Sequence, residues 1–267
     1  MKDELAVALI QTNLYWEDVT ANLSSLEEKI AALEKPVDII VLPEMFNLGF
    51  TMNTSLAEHS NMTTSRWMKN TAKQTGALVV GSFAVKEHNN FYNRLFYVFP
   101  DGSSVYSDKR HLFRMGEEHA AYTPGEARKI ITWKGWNILG LVCYDLRFPV
   151  WSRNLTDDPY DLLIYVASWP ARRANAWNIL LKARAIENLC YVIGVNRVGE
   201  DGNGIKYQGD SVAHDFLGEP RLAIGSAEDE KVVTLSNSEL RTYRTQFPAY
   251  LDADDFVLNE KNITQSL

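Results

Sequence analysis

Compact apolar runs alternate along this chain with segments in which apolar residues return every three or four positions. That is the pattern of strands joined through helices in an α/β layered domain. Residues 5–11 read as a buried strand, and Val19, Leu23, Leu26, Ile30 and Leu33 then mark a single stripe on a polar helix. Residues 37–42 form a second buried strand that stops at Pro43-Glu44. A loop over 49–61 leads to a helix predicted over 64–75, closed by Gly76, and a strand over 77–84. The aromatic-rich stretch 91–99, the turn Pro100-Asp101-Gly102 and a return through 105–109 make a hairpin. Residues 137–142 are a further buried strand ending on Cys143, with a helix expected to start near Leu146. A strand over 161–167 follows; Ala176, Ile179, Leu180, Ala183 and Ile186 then form a helical stripe running into a strand over 190–195. Beyond Gln208 the pattern gives short strands around 211–215, Leu222 and 232–235, then a helix around Leu240.

No Pro/Ser/Gly-rich linker, repeat or charge block interrupts the 267 residues, so a single domain over 1–267 is expected, with a C-terminal tail from about 240. A hydrophobic share of 46 % is enough for a large core. With 27 basic against 34 acidic residues the net charge is −7, which argues against a nucleic-acid partner, because phosphates call for a clustered basic face. Two cysteines cannot build a disulfide framework and have no partners at zinc-ligand spacing, so a reduced, cytoplasmic setting is expected. No apolar run reaches the roughly 18 residues of a membrane span. Lys2-Asp3-Glu4-Leu5 spells a retention signal only at a C-terminus, and the sequons at Asn22, Asn53, Asn61, Asn154 and Asn262 carry no weight without secretion.

In open α/β folds reactive groups gather beyond the carboxyl ends of strands, where loops are free to shape a pocket. Glu44, Lys109 and Cys143 all occupy such ends. Cys143 is either a nucleophile, its thiolate favoured by unpaired N–H groups at the following helix start, or an ordinary core thiol. Taken singly, Glu44 could cap a turn, and Lys109 and Glu118 could belong to a solvated charged loop. Together they supply what thiol attack on an amide requires: a group to take the S–H proton and return it to the amine, and a positive charge at the oxyanion.

These segments resemble the nitrilase superfamily over nearly the whole chain. Leu42-Pro43-Glu44-Met45-Phe46 is similar to the segment of the family's catalytic glutamate, and residues 106–113 around Lys109 to that of its lysine. Residues 141–149, Leu-Val-Cys-Tyr-Asp-Leu-Arg-Phe-Pro, are similar to the nucleophile segment, and 118–125 to the one holding a second active-site glutamate, Glu118. Residues 111–115 together with Ala167-Ser168-Trp169-Pro170 resemble the bacterial ω-amidases, whose members act on 2-oxoglutaramate or succinamate.

The resemblance implies a four-layer αββα sandwich and a homodimer paired through the helices following the cysteine. It implies no metal and no cofactor. The backbone N–H of Tyr144 would join Lys109 at the oxyanion. A distal carboxylate on the substrate calls for an arginine fork and aromatic walls, with Arg114, Arg172 and Arg173 as candidates for the first and Phe46, Tyr144 and Trp169 for the second. Arg147 and Asp145 are expected to pair with each other and fix the nucleophile turn. Another amide, nitrile or carbamoyl substrate is the alternative within the family. A thiol peptidase would need a histidine beside Cys143, and a non-catalytic binding protein would leave the thiol unreactive.

Overall fold

The computed structural model describes residues 2–254 and 256. The sequon at Asn262 and the end of the expected tail lie outside them.

Two mixed sheets face each other. In the first, Glu4–Gln11 lies between Asp229–Ser236, antiparallel, and Ile39–Val41, parallel; Leu78–Glu87, Asn90–Val98 and Ser104–Asp108 continue it as a parallel step and a meander. The second runs Pro220–Ala223, Val212–His214, Tyr191–Asn196, Leu162–Ala167, Trp136–Val142 and Ile130–Trp133, with its three central strands parallel. Ile130–Trp133 is a strand that the apolar pattern does not single out.

The period-two alternation assigns the faces. Leu5, Val7, Leu9, Ile39, Val41, Leu78, Val80, Leu95 and Tyr97 point toward the second sheet and share one buried cluster with Ile138, Leu139, Leu163 and Tyr165. Their neighbours Ala8, Ile10, Ile40, Leu42, Val79 and Phe83 point the other way, against Leu23, Leu26 and Ile30 of helix Val19–Ala31 and Trp67, Met68 and Ala72 of helix Thr63–Thr75. Each such large side chain contributes about 1.5–3 kcal/mol on burial. On the outer face of the second sheet lies helix Ala174–Asn188. There Gly194 lets the helix approach: a Cβ would come within 2.5 Å of Leu181 Cδ1 and 2.8 Å of Trp177 Cζ2. Helix, sheet, sheet, helix is the four-layer sandwich expected.

The two sheets are also tied by polar contacts. Tyr97 Oη of the first sheet accepts from Gly140 N–H of the second at 2.5 Å. The helix expected around Leu240 spans Asn237–Gln246 and buries Leu240 completely, and Arg244 pairs with Asp161 at 2.9 Å. Among the described residues no helix is long and apolar enough to cross a membrane.

Candidate active site

Four strand ends converge. Cys143 follows Trp136–Val142 directly, Lys109 follows Ser104–Asp108, Ser168 follows Leu162–Ala167, and Glu44 comes three residues after Ile39–Val41. Cys143 itself has φ 45° and Met45, next to Glu44, φ 46°, so the chain turns sharply at both places in a conformation that L-residues adopt at a cost. The helix expected near Leu146 is instead a 3₁₀ turn, Cys143–Arg147, followed by one helical turn, Pro149–Ser152. Asp145 makes that turn: its Oδ2 accepts from Val142 N–H at 3.1 Å and its Oδ1 from His111 N–H at 2.9 Å. Asp145 therefore does not pair with Arg147, whose guanidinium lies over the Trp169 ring at 4.9 Å.

The side chains of Glu44, Lys109 and Glu118 are completely buried and bonded to one another. Lys109 Nζ donates to Glu44 Oε1 at 2.8 Å and to both oxygens of Glu118 at 3.0 and 2.8 Å. Isolated, such charges could not be buried; the mutual pairing is what permits it. Backbone donors complete the shell, Ser168 N–H to Glu44 Oε2 at 2.9 Å and Phe113 N–H to Glu118 Oε2 at 2.6 Å. Asn93, which the sequence reading passes over, donates to Glu44 Oε1 at 2.8 Å and to Glu118 Oε1 at 3.1 Å. The one sequence signal for it is an amide interrupting the aromatic run of its strand.

Burial pushes the Glu118 carboxyl up, with Lys109 opposing. Lys109 is held well above the ordinary lysine range: the two glutamates outweigh its burial. Burial, reinforced by the Glu44 charge and opposed by Lys109, pushes the Cys143 thiol well above the ordinary thiol range. This runs against the expectation of a favoured thiolate, because burial and then the Glu44 charge act on the sulfur against Lys109.

Cys143 and Lys109 open on a pocket of about 80 Å³, room for a few water-sized groups and hence for a small molecule. Tyr144, Trp169, Arg172 and Arg173 line it, joined by Phe50, Phe113, Arg147 and Tyr207. Two expectations are corrected. Phe46 is fully buried on the helix side of the first sheet, its ring 5.7 Å from Trp67 and 6.2 Å from Phe83, because the reversal at Met45 turns it away; Phe50 stands in the pocket wall instead. Arg114 is exposed in a 3₁₀ turn outside the lining, and Arg147 takes a place there. Arg173 lies over the Phe113 ring at 5.2 Å and is lowered by burial and by its neighbours Arg172 and Arg147. Among the described residues none of these three arginines has a carboxylate partner.

No histidine lines the pocket; His111 faces Asp145, with Nδ1 to Oδ1 at 2.7 Å, rather than the thiol. Cys190 is wholly buried in the core cluster. The short hairpin Val198–Glu200 and Lys206–Gln208, joined through the glycine-rich 201–205, brings Ile205 and Tyr207 to the pocket.

Comparison with known proteins places this architecture. An omega-amidase of Escherichia coli, YafV, is 47 % identical over 255 residues, spanning 95 % of this chain and 98 % of the relative. The 2-oxoglutaramate amidase of Bacillus subtilis is 31 % identical across 92 % of this chain and 96 % of its own. Among solved structures, XC1258 of Xanthomonas campestris, a CN-hydrolase superfamily protein with an arsenic adduct in its active site, superposes with a TM-score of 0.94 at 43 % identity, covering 97 % of this chain and all of the other. An amidase from Nesterenkonia, 24 % identical with a TM-score of 0.81 over 94 % of this chain and 97 % of its own, shares the fold. The model of the carbon-nitrogen hydrolase family matches residues 6–244, and the chain belongs to that family.

Proposed function

We propose that this chain is a cysteine-dependent ω-amidase that releases ammonia from a small amide carrying a distal carboxylate, such as succinamate or 2-oxoglutaramate. The observation that carries the reading is one small pocket lined by the Cys143 thiol and Lys109, the latter bonded to Glu44 at 2.8 Å, with Arg147, Arg172 and Arg173 in its walls without acidic partners. A substrate carboxylate supplies the missing charge, and the names of the E. coli and B. subtilis relatives fit the same substrate class.

In the mechanism that follows from this geometry, Cys143 Sγ adds to the amide carbon as its proton passes to Glu44. The Lys109 charge and the Tyr144 N–H, at the start of the 3₁₀ turn where amides have no intrahelical acceptor, stabilise the oxyanion; such a donor is worth about 3 kcal/mol. Lys109 Nζ is already engaged by both glutamates, so its share is chiefly electrostatic. Glu44 returns the proton to nitrogen, the C–N bond breaks and ammonia leaves a thioester. Glu44 then takes a proton from water as oxygen adds to the thioester carbon; the C–S bond breaks, the acid departs and the thiol recovers the proton. Glu118 keeps Lys109 oriented throughout. A second copy of the chain packed along helix Ala174–Asn188, where Ile179 and Ile186 are 57 % and 47 % exposed, is part of the proposal.

The arginines test the substrate class. Arg147→Leu and Arg173→Leu should each raise KM for succinamate about 10- to 100-fold, the worth of a charge-assisted hydrogen bond, and leave KM for propionamide unchanged. Arg147→Lys should not restore it, since an ammonium cannot stack on Trp169 and fork to a carboxylate together. Equal effects on the two amides would remove the carboxylate from the assignment.

A further inference from the structure

Asn93 sits in the first turn-proximal part of the strand Asn90–Val98, is completely buried, and touches three members of the buried charged group at once. Its amide nitrogen donates to Glu44 Oε1 at 2.8 Å and to Glu118 Oε1 at 3.1 Å. Its backbone carbonyl accepts from Lys109 N–H at 2.9 Å, which ties down the lysine's main chain where the neighbouring strand ends. Its side-chain oxygen, by contrast, is buried with no partner. The reverse orientation of the amide would aim that oxygen at two carboxylates, so the donor-inward setting is dictated by charge. An orphaned buried acceptor is costly, and a leucine of similar volume would avoid it. The residue's use is therefore its two donated hydrogens.

We infer that Asn93 is a positioning residue that clamps both glutamates in their ionised form and thereby sets the acid limb of turnover. Two carboxylates sharing one ammonium carry a net negative charge, and like charges in a buried site take up a proton readily. Hydrogen bonds donated to an ionised carboxylate oppose that uptake. Asn93 gives one to each partner, where Lys109 alone would have to restrain both. Besides Lys109, the groups facing the pair are the Cys143 thiol and the phenols of Tyr122 and Tyr207, both raised by burial and so neutral through the working range. Glu44 must be ionised to receive the thiol proton, so the protonation of this pair governs the rate on the acid side. Asn93 lies outside the pocket lining, which separates its effect from substrate binding.

The inference rests on the amidase reading but not on the ω-amide substrate, and the test keeps the two apart by using succinamate and propionamide in parallel. The profile of kcat/KM against pH is measured for the wild type, Asn93→Leu and the isosteric Asn93→Asp. In Asn93→Leu the acid limb should move upward by about one to two pH units, the worth of one or two hydrogen bonds to a charged group. The rate should recover toward the wild type at alkaline pH, and KM should stay within about twofold. Asn93→Asp, which adds a third carboxyl, should move the limb in the same direction. A drop of equal size at every pH, or a limb that stays in place in whichever variant folds, overturns the inference. Turnover of propionamide with the shifted limb but none of succinamate would retain the Asn93 role and refute the ω-amide assignment.

Discussion

Asp145 Oδ1 accepts both the backbone N–H and the ring Nδ1 of His111, at 2.9 and 2.7 Å, while its other oxygen holds Val142 N–H just before the nucleophile. His111 comes two residues after Lys109 and stacks on Phe148 with ring centroids 3.8 Å apart and planes 9° from parallel. One carboxylate thus fixes the spacing between the segment that carries the ammonium and the turn that carries the sulfur.

Asp145→Ala leaves the Val142 and His111 N–H groups without their acceptor. A buried donor stranded in this way costs about 1–3 kcal/mol, so the expected loss of stability is about 2–4 kcal/mol, read from urea unfolding. Activity should fall further than stability accounts for, because the sulfur and the ammonium lose their common support. An unfolding midpoint equal to that of the wild type would show that the contact is incidental.

The charge on Glu44 has two opposite consequences for Cys143. In the proposed mechanism it receives the thiol proton, yet without substrate it adds to burial in holding the thiol above its ordinary range. Glu44→Gln should therefore lower the titration midpoint of the thiol, followed as thiolate ultraviolet absorbance against pH with Cys143→Ala as the blank. Burial, the larger cause, remains, so the midpoint should stay above that of a free thiol. Turnover should drop by about a hundredfold to ten-thousandfold, since the proposed general base is gone although more thiolate is present. A midpoint that rises in Glu44→Gln would contradict the electrostatic account of the site.

Much of this was legible in the residues. Glu44 and Cys143 each terminate an apolar run and Lys109 ends a hairpin return, and a strand that ends in a reactive side chain marks a candidate site. The buried strand over 5–11 and the helical stripe of 19–30 were legible as elements, whereas the four layers were implied by the family resemblance, because an all-apolar run does not say which face meets which layer. What escaped was decided by single backbone turns. The φ of 46° at Met45 sends Phe46 into the helix-side core and leaves the pocket wall to Phe50. The turn at Cys143 gave Asp145 to His111 and freed Arg147 for the pocket, where Arg114 had been one of the candidates. Asn93 was hidden for another reason: a donor's value depends on which acceptors the other strands bring, and those are 49 and 25 residues away.

Asp38 offers a check of the fold that is independent of catalysis. Nearly buried, it accepts from Lys2 Nζ at 2.6 Å, Ala6 N–H at 2.8 Å and Lys134 Nζ at 2.5 Å, joining the first strand to the hairpin of the second sheet. Burial tends to raise its carboxyl, but the bonds from Lys134, Lys2 and Ala6 prevail and hold it below the ordinary aspartate value of 3.8. A group whose folded value lies below its unfolded one stabilises above the unfolded value and loses that contribution as pH falls through the folded value. Asp38→Asn should therefore cost about 1–3 kcal/mol at pH 7. The gap between variant and wild type should persist down to about pH 4 and close only below it, since the unfolded aspartate titrates there. Urea midpoints for the two proteins at pH 7, 5, 4 and 3 measure this directly. A gap that closes well above pH 4, or widens on acidification, would mean that another group holds the N-terminal strand to the hairpin.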